Sequence, residues 1–177
     1  MTLKYKTSSS GISLVKFFES LHDGDLKKIG LQPKTCPAGI LTIGYGHALR
    51  DIDGKWLKGV AGYQRMLEIY PDYETITEQE AEDLLEEDLE LFENKINSLN
   101  LKLPQYQFDS LVSFAFNCGF GNLSSSTLLR RIKGEKGSIR DAFLMWNKSG
   151  GKVLNGLSKR REAEATLFVD GVLELPK

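Results

Sequence analysis

Two cysteines and two histidines are all that 177 residues provide. Two thiols cannot build a disulfide framework. With no close cysteine pair to join them, His22 and His47 do not make a zinc site, so no metal and no cofactor is expected. The chain has no Gly-rich phosphate loop, no GxSxG nucleophile elbow, no internal repeat and no low-complexity tract. Long apolar runs are absent too. The first ten residues, MTLKYKTSSS, are polar, and the segment from Ile12 to Phe18 is too short and too charged for a signal core or a membrane span. The expectation is a protein made in the cytoplasm without a cleavable signal and without stable membrane association.

A hydrophobic content of 41% is enough for a proper core, and the length fits one domain, 1–177, and a monomer. The net charge of -1 conceals an asymmetry. Residues 74–93 carry only acidic charges, whereas 129–161 are mostly basic, with Arg130, Arg131, Lys133, Arg140, Lys148, Lys152, Lys159, Arg160 and Arg161. Such a run can attract anionic polymers, or it can solvate helix faces and pair with acids. No nucleic-acid motif accompanies it, so no nucleic-acid partner is inferred.

The periodicity is mostly helical. Ile12, Leu14, Val15, Phe17 and Phe18 form an apolar stripe on a short helix with Glu19 at its last turn. Thr77 and Glu80 read as a capping box before Ala81, Leu84, Leu85, Leu89, Phe92, Ile96 and Leu99, which predicts a long helix over about 78–98. Pro104 opens a helix with Phe108, Leu111, Val112, Ala115 and Phe116 facing the core. Shorter helices are expected over about 125–132, after Ser138 as a cap, and over 157–168 with Gly171 beyond its end. Ile40 to Tyr45, with glycines at 39, 44 and 46, reads instead as strand and tight turn.

Glu19, Cys36 and Thr42 stand out as chemistry-bearing groups. A carboxyl beside the apolar side of a helix is partly desolvated; desolvation penalises its charged form and suits it to give a proton to a glycosidic oxygen. A strand over 40–45 puts Leu41 and Ile43 on one face and Thr42 on the other, free to face a cleft. Glycines around it let a polymer lie close to the backbone. Cys36 alone reads equally as a small buried residue, and Cys118 as packing. A Cys36–Cys118 bond would occupy the first thiol and act as a redox lock. His47 at a strand end reads as a clamp on nearby backbone.

The run TIGYGH, preceded by CPAG and by a helix ending in Glu, resembles the phage-type lysozymes, also called endolysins or muramidases. Downstream, QFDSLVSFAFNCGFGNLSSSTLLRRI and FLMWNKSGGKVLNGLSKRREAE are similar to that family's two C-terminal helical signatures, so the likeness covers about residues 11–169. The resemblance implies a mainly helical α+β, lysozyme-like, two-lobed fold with a small N-terminal sheet. The lobes would span about 11–76 and 100–177, with a linking helix over 77–99 and a cleft between them. It implies hydrolysis of the β-1,4 bond between N-acetylmuramic acid and N-acetylglucosamine in peptidoglycan, on the cell wall after release. The family's Glu, Asp-or-Cys and Thr fall on Glu19, Cys36 and Thr42, and Gln107 and Asn117 become candidate substrate-binding residues. Each of these amides can equally satisfy buried backbone.

The interval from Glu19 to Cys36 is longer than the family's usual one. The extra residues, near HDGDLKKIGLQPK, are expected to extend a hairpin turning at Asp23 and Gly24. Asp23 or Asp25 then offers an alternative second carboxylate. Two readings stand beside the muramidase: a wall peptidase or amidase with Cys36 as nucleophile and His47 or His22 as base, and a non-catalytic glycan-binding module.

Overall fold

A computed structural model describes residues 4–21, 23–36 and 38–177. Within it lie the α-helices α1 (Ser9–Glu19), α2 (Gly59–Ile69), α3 (Glu78–Asn97), α4 (Gln105–Cys118), α5 (Phe120–Ser125), α6 (Thr127–Ile132), α7 (Ile139–Leu144) and α8 (Asn155–Asp170). The strands are β1 (Lys34–Thr35), β2 (Leu41–Ile43), β3 (His47–Ala48), β4 (Lys148–Ser149) and β5 (Lys152–Val153). The chain divides into two compact units, one being Glu19–Asp88 and the other joining the chain up to Phe18 to Leu89–Lys177.

In the Glu19–Asp88 unit the sheet runs β1-β2-β3, antiparallel throughout. Thr42 pairs with Lys34 on one side and Ala48 on the other, while Ile43 pairs with His47. The turn from β2 to β3 needs glycine. Gly44 has φ 60°, and a Cβ there would sit 2.9 Å from the Cβ of Ala81 on α3. Between these glycines Tyr45 is buried, and its hydroxyl donates to Glu78 (3.2 Å). Beyond β3, Leu49 N donates to Leu41 O, Leu57 N to Leu49 O, and Leu41 N to Leu57 O, at 2.9, 3.0 and 2.9 Å. These leucines join Ile43, Met66, Ile76, Ala81 and Leu85 in the unit's core.

The expected hairpin in the long interval does not form: no strand lies between residues 20 and 33 among the described residues. Asp23 Oδ1 accepts from Asp25 N (3.0 Å) and Asp25 Oδ1 from Lys27 N (3.1 Å), so both carboxylates are used in side-chain turns that curl the backbone. The loop is closed at its ends. Gly24 N donates to Gln32 O, and Leu31 and Ile76 exchange backbone hydrogen bonds of 2.8 and 2.9 Å.

In the other unit α4 is the central element, buried from Phe108 to Ala115 and packed against α8. Phe114 meets Phe143 and Trp146 edge-on with ring centroids 5.6 Å apart, and Phe143 tilts against Phe168. α1 packs Leu14 against Ala163 and Leu167 of α8. It can approach because Gly11 has no side chain; a Cβ there would lie 2.9 Å from Asp109 on α4. Asp109 in turn accepts from Ser8 N (2.9 Å), tying down the start of α1.

The basic run is not a basic face. Arg160 and Arg161 are 3% and 0% exposed, paired with the fully buried Glu164. Arg130 bonds Glu135, Arg140 bonds Glu162 and Asp170, and Arg131 bonds the carbonyl of Ser138. A buried guanidinium must be paired, and an i,i+3 or i,i+4 carboxylate on the same helix is the nearest partner. Lys133, Lys148, Lys152 and Lys159 stay exposed, as does Arg130 beside Glu135.

Candidate active site

Glu19 is the last residue of α1 and is half-buried. Ser20 follows with φ 60°, a left-handed residue that ends the helix. Across the unit, the turn of TIGYGH passes beside the carboxyl: a Cβ on Gly46 would lie 3.8 Å from Glu19 Oε2. Gly46 has φ 89°. The glycine therefore serves the turn and keeps a side chain away from the acid.

Thr42 sits in the middle strand and is 5% exposed, and all of β2 is buried. The expected alternation of a covered and an open face is absent: Leu41, Thr42 and Ile43 are all buried. Its Oγ1 donates 2.9 Å to Lys34 O. A hydroxyl has a single proton to donate, so this bond occupies it.

Cys36 follows β1 directly and is a free, half-buried thiol. Its backbone N donates to Ile40 O and its carbonyl accepts from Gly39 N, both at 2.8 Å, which holds Gly39 and Ile40 back against Cys36. Pro37 and His22 lie outside the described residues.

His47 does not clamp backbone. Its Nδ1 meets the carboxylate of Asp88 at 2.9 Å, with the ring edge-on to Tyr73. The sheet register keeps it from Cys36. Cys36 lies opposite Ile40, past the Thr35–Leu41 pair on one side of β2, and His47 opposite Ile43 on the other side. Two strand spacings of ~4.8 Å and three residues of ~3.3 Å put their backbones roughly 14 Å apart. A thiolate–imidazole pair needs about 3 Å. The Cys36–His47 dyad is therefore not built by this sheet.

Gln107 and Asn117 lie on α4 in the other unit. Gln107 Nε2 donates 3.1 Å to Phe168 O, one of the backbone-satisfying roles open to it. Asn117 is exposed, and its Oδ1 accepts 3.0 Å from Arg161 Nη2. Beside it Cys118 is a free thiol whose Sγ lies 2.6 Å from Arg161 Nη1. Burial pushes that thiol up from its ordinary pKa, with Arg161 opposing. Nothing in the composition announced this cluster; its signal is the spacing of Arg160, Arg161 and Glu164 on one helix. No group of three or more His, Cys, Asp and Glu suited to a metal occurs among the described residues.

Comparison with known proteins places the chain. The family model described as phage lysozyme matches residues 26–164, a span that holds Cys36, Thr42, Gln107 and Asn117 and begins after Glu19. An endolysin of Bacillus phage B103 is 40% identical over 166 residues, covering 93% of this chain and 54% of that protein. For an endolysin of Bacillus phage PZA the identity is 36% and the share 55%, so the chain spans about half the length of these relatives. Among solved structures, the endolysin from Escherichia coli O157:H7 phage FAHEc1 superposes with a TM-score of 0.70 at 32% identity, covering 100% of both chains. The muramidase domain of SpmX from Asticaccaulis excentricus gives 0.69 at 31%, covering 93% of this chain and 98% of that one.

Proposed function

The chain belongs to the phage lysozyme family, and from that premise we propose that it is a bacteriolytic glycoside hydrolase. As a muramidase it cleaves the β-1,4 bond between N-acetylmuramic acid and N-acetylglucosamine in peptidoglycan. Its mainly helical fold with small antiparallel sheets is the fold of the phage lysozyme structures it resembles. The whole chain acts as one lysozyme-like domain, as a monomer on the cell wall. No helix among the described residues is long and apolar enough to cross a membrane.

The observation that carries the reading is the setting of Glu19. A half-buried carboxyl at a helix end lies beside a turn whose Gly46 carries no side chain, where a Cβ would come 3.8 Å from Glu19 Oε2. That suits a general acid that protonates the leaving glycosidic oxygen. Cys36 and Thr42 then position the attacking water. Gln107 and Asn117 contact the glycan.

A product assay on purified peptidoglycan tests this, with wild type, Glu19→Gln and Cys36→Ser side by side. The wild type releases reducing sugar ends, and Glu19→Gln is slower by about 100-fold or more. Full activity in Glu19→Gln sinks the proposal. Full activity in Cys36→Ser removes only the thiol from the mechanism. New amino groups in place of reducing ends indicate a peptidase, and anhydromuramyl ends a lytic transglycosylase. Sacculi that bind protein and stay intact indicate the binding module.

A further inference from the structure

Arg161 is fully buried, yet one of its contacts is to an exposed residue. The guanidinium spans Glu164, with Nη2 3.0 Å from Oε1 and Nε 2.9 Å from Oε2, then Asn117 Oδ1 at 3.0 Å and Cys118 Sγ at 2.6 Å. Its Cζ lies 4.9 Å from the Phe114 ring centroid. Burying a charge in this way gains little net stability over an apolar side chain, so stability alone does not account for it.

The chemistry of the contact fixes a direction. Arginine only donates, so the atom of Asn117 that faces it must be the oxygen. Cys118 Sγ points a weak donor at the same oxygen, 3.8 Å away. The amide therefore cannot flip, and Nδ2 has no partner among the described residues. A freely rotating asparagine offers a donor or an acceptor as the ligand requires; this one offers N–H alone.

We infer that Arg161 is a positioning residue that locks the Asn117 amide with its donors outward, making this end of α4 a subsite for the carbonyl oxygen of a sugar acetamido group. A sugar hydroxyl donates or accepts, and gives such a locked amide little to discriminate. An acetamido carbonyl only accepts, and matches it. The inference rests on the muramidase reading and adds to it which atoms of the substrate are read.

The test is kinetics and thermal unfolding of the full chain on soluble murein glycan strands, N-acetylated or chemically de-N-acetylated. Asn117→Asp keeps an oxygen for Arg161 and puts a second acceptor where the N–H group was. Its Tm is expected to be no lower than that of wild type, while KM for acetylated strands rises about 10-fold or more and the preference for acetylated over de-acetylated strands shrinks with it. Arg161→Lys keeps a charge against Glu164 but loses the planar fork that reaches Asn117 as well. It should shift KM in the same direction, and adding Asn117→Asp to it should cost less than in wild type. If Arg161→Lys does not fold, the Asn117→Asp result still decides. Asn117→Asp with wild-type KM and wild-type preference overturns the inference alone, and wild type that releases no reducing ends overturns the muramidase reading and the inference together.

Discussion

Two glycines two residues apart do different work in the β2–β3 turn. At Gly44 a methyl group would come within 2.9 Å of the Ala81 Cβ, on backbone already at φ 60°. Gly44→Ala should cost about 2–4 kcal/mol, read as a lower Tm, with catalysis per folded molecule little changed. Gly46→Ala meets only Glu19, at ordinary contact distance. Its positive φ costs about 1 kcal/mol, and the methyl sits beside the acid, so kcat/KM should fall more steeply than Tm. Equal losses in the two variants would mean that Gly46 serves the turn alone. At this scale the residue types of the candidate site were legible and their geometry was not. TIGYGH and the upstream Glu pointed to Glu19, Cys36 and Thr42, and residue type alone admitted a Cys36–His47 pair that the sheet register separates. Arg160 and Arg161 fall in a run for which attraction of polymers and pairing with acids both stay open in the sequence, because a count of charges does not say which guanidinium faces a buried carboxylate one turn along its own helix.

Helix boundaries were legible wherever a side chain does the capping. Ser138 accepts from Asp141 N and Ser126 from Leu129 N, and both open the helices expected near them. Ser126→Ala should destabilise by about 1–2 kcal/mol, since its hydroxyl is buried and also donates to Leu123 O. Thr77 and Glu80 form the capping box at the start of α3, with Glu80 Oε2 accepting from Thr77 N (2.7 Å). That backbone bond holds the Glu80 carboxyl below its ordinary pKa of 4.5. A depressed folded pKa stabilises above the unfolded value and loses that stabilisation as pH falls through the folded one. The Tm difference between wild type and Glu80→Gln should therefore be present at pH 7 and shrink below about pH 4.5; a difference that does not change with pH would contradict the linkage. α2 was not legible. Gly59 and Gly62 lower its propensity, and Gly62 is there because a Cβ would lie 2.8 Å from the Leu57 carbonyl carbon. The β4–β5 hairpin is only two residue pairs long, too short for a pattern to register.

Across the molecule the charge is divided by unit. Glu19–Asp88 holds seven lysines and arginines against fifteen aspartates and glutamates, and the remainder sixteen against nine. Under the proposed muramidase reading, the exposed lysines are the charges placed to meet anionic wall polymers. Adsorption to sacculi should weaken between 50 and 300 mM salt as screening shortens their reach, and salt-independent adsorption would point to contacts of another kind. Stability across α4 and α8 depends on one carboxylate: Glu164 answers both Arg160 and Arg161 and accepts from Ser113 Oγ at 2.7 Å. Glu164→Ala should cost about 3–5 kcal/mol in denaturant unfolding, more than any single cap. The leucine amides of the sheet-bearing unit carry a different consequence. Leu41, Leu49 and Leu57 donate to one another's carbonyls in a closed cycle, so releasing any one of them breaks two of the three bonds. In heavy water these three amide protons should be replaced at a common rate, as one cooperative set.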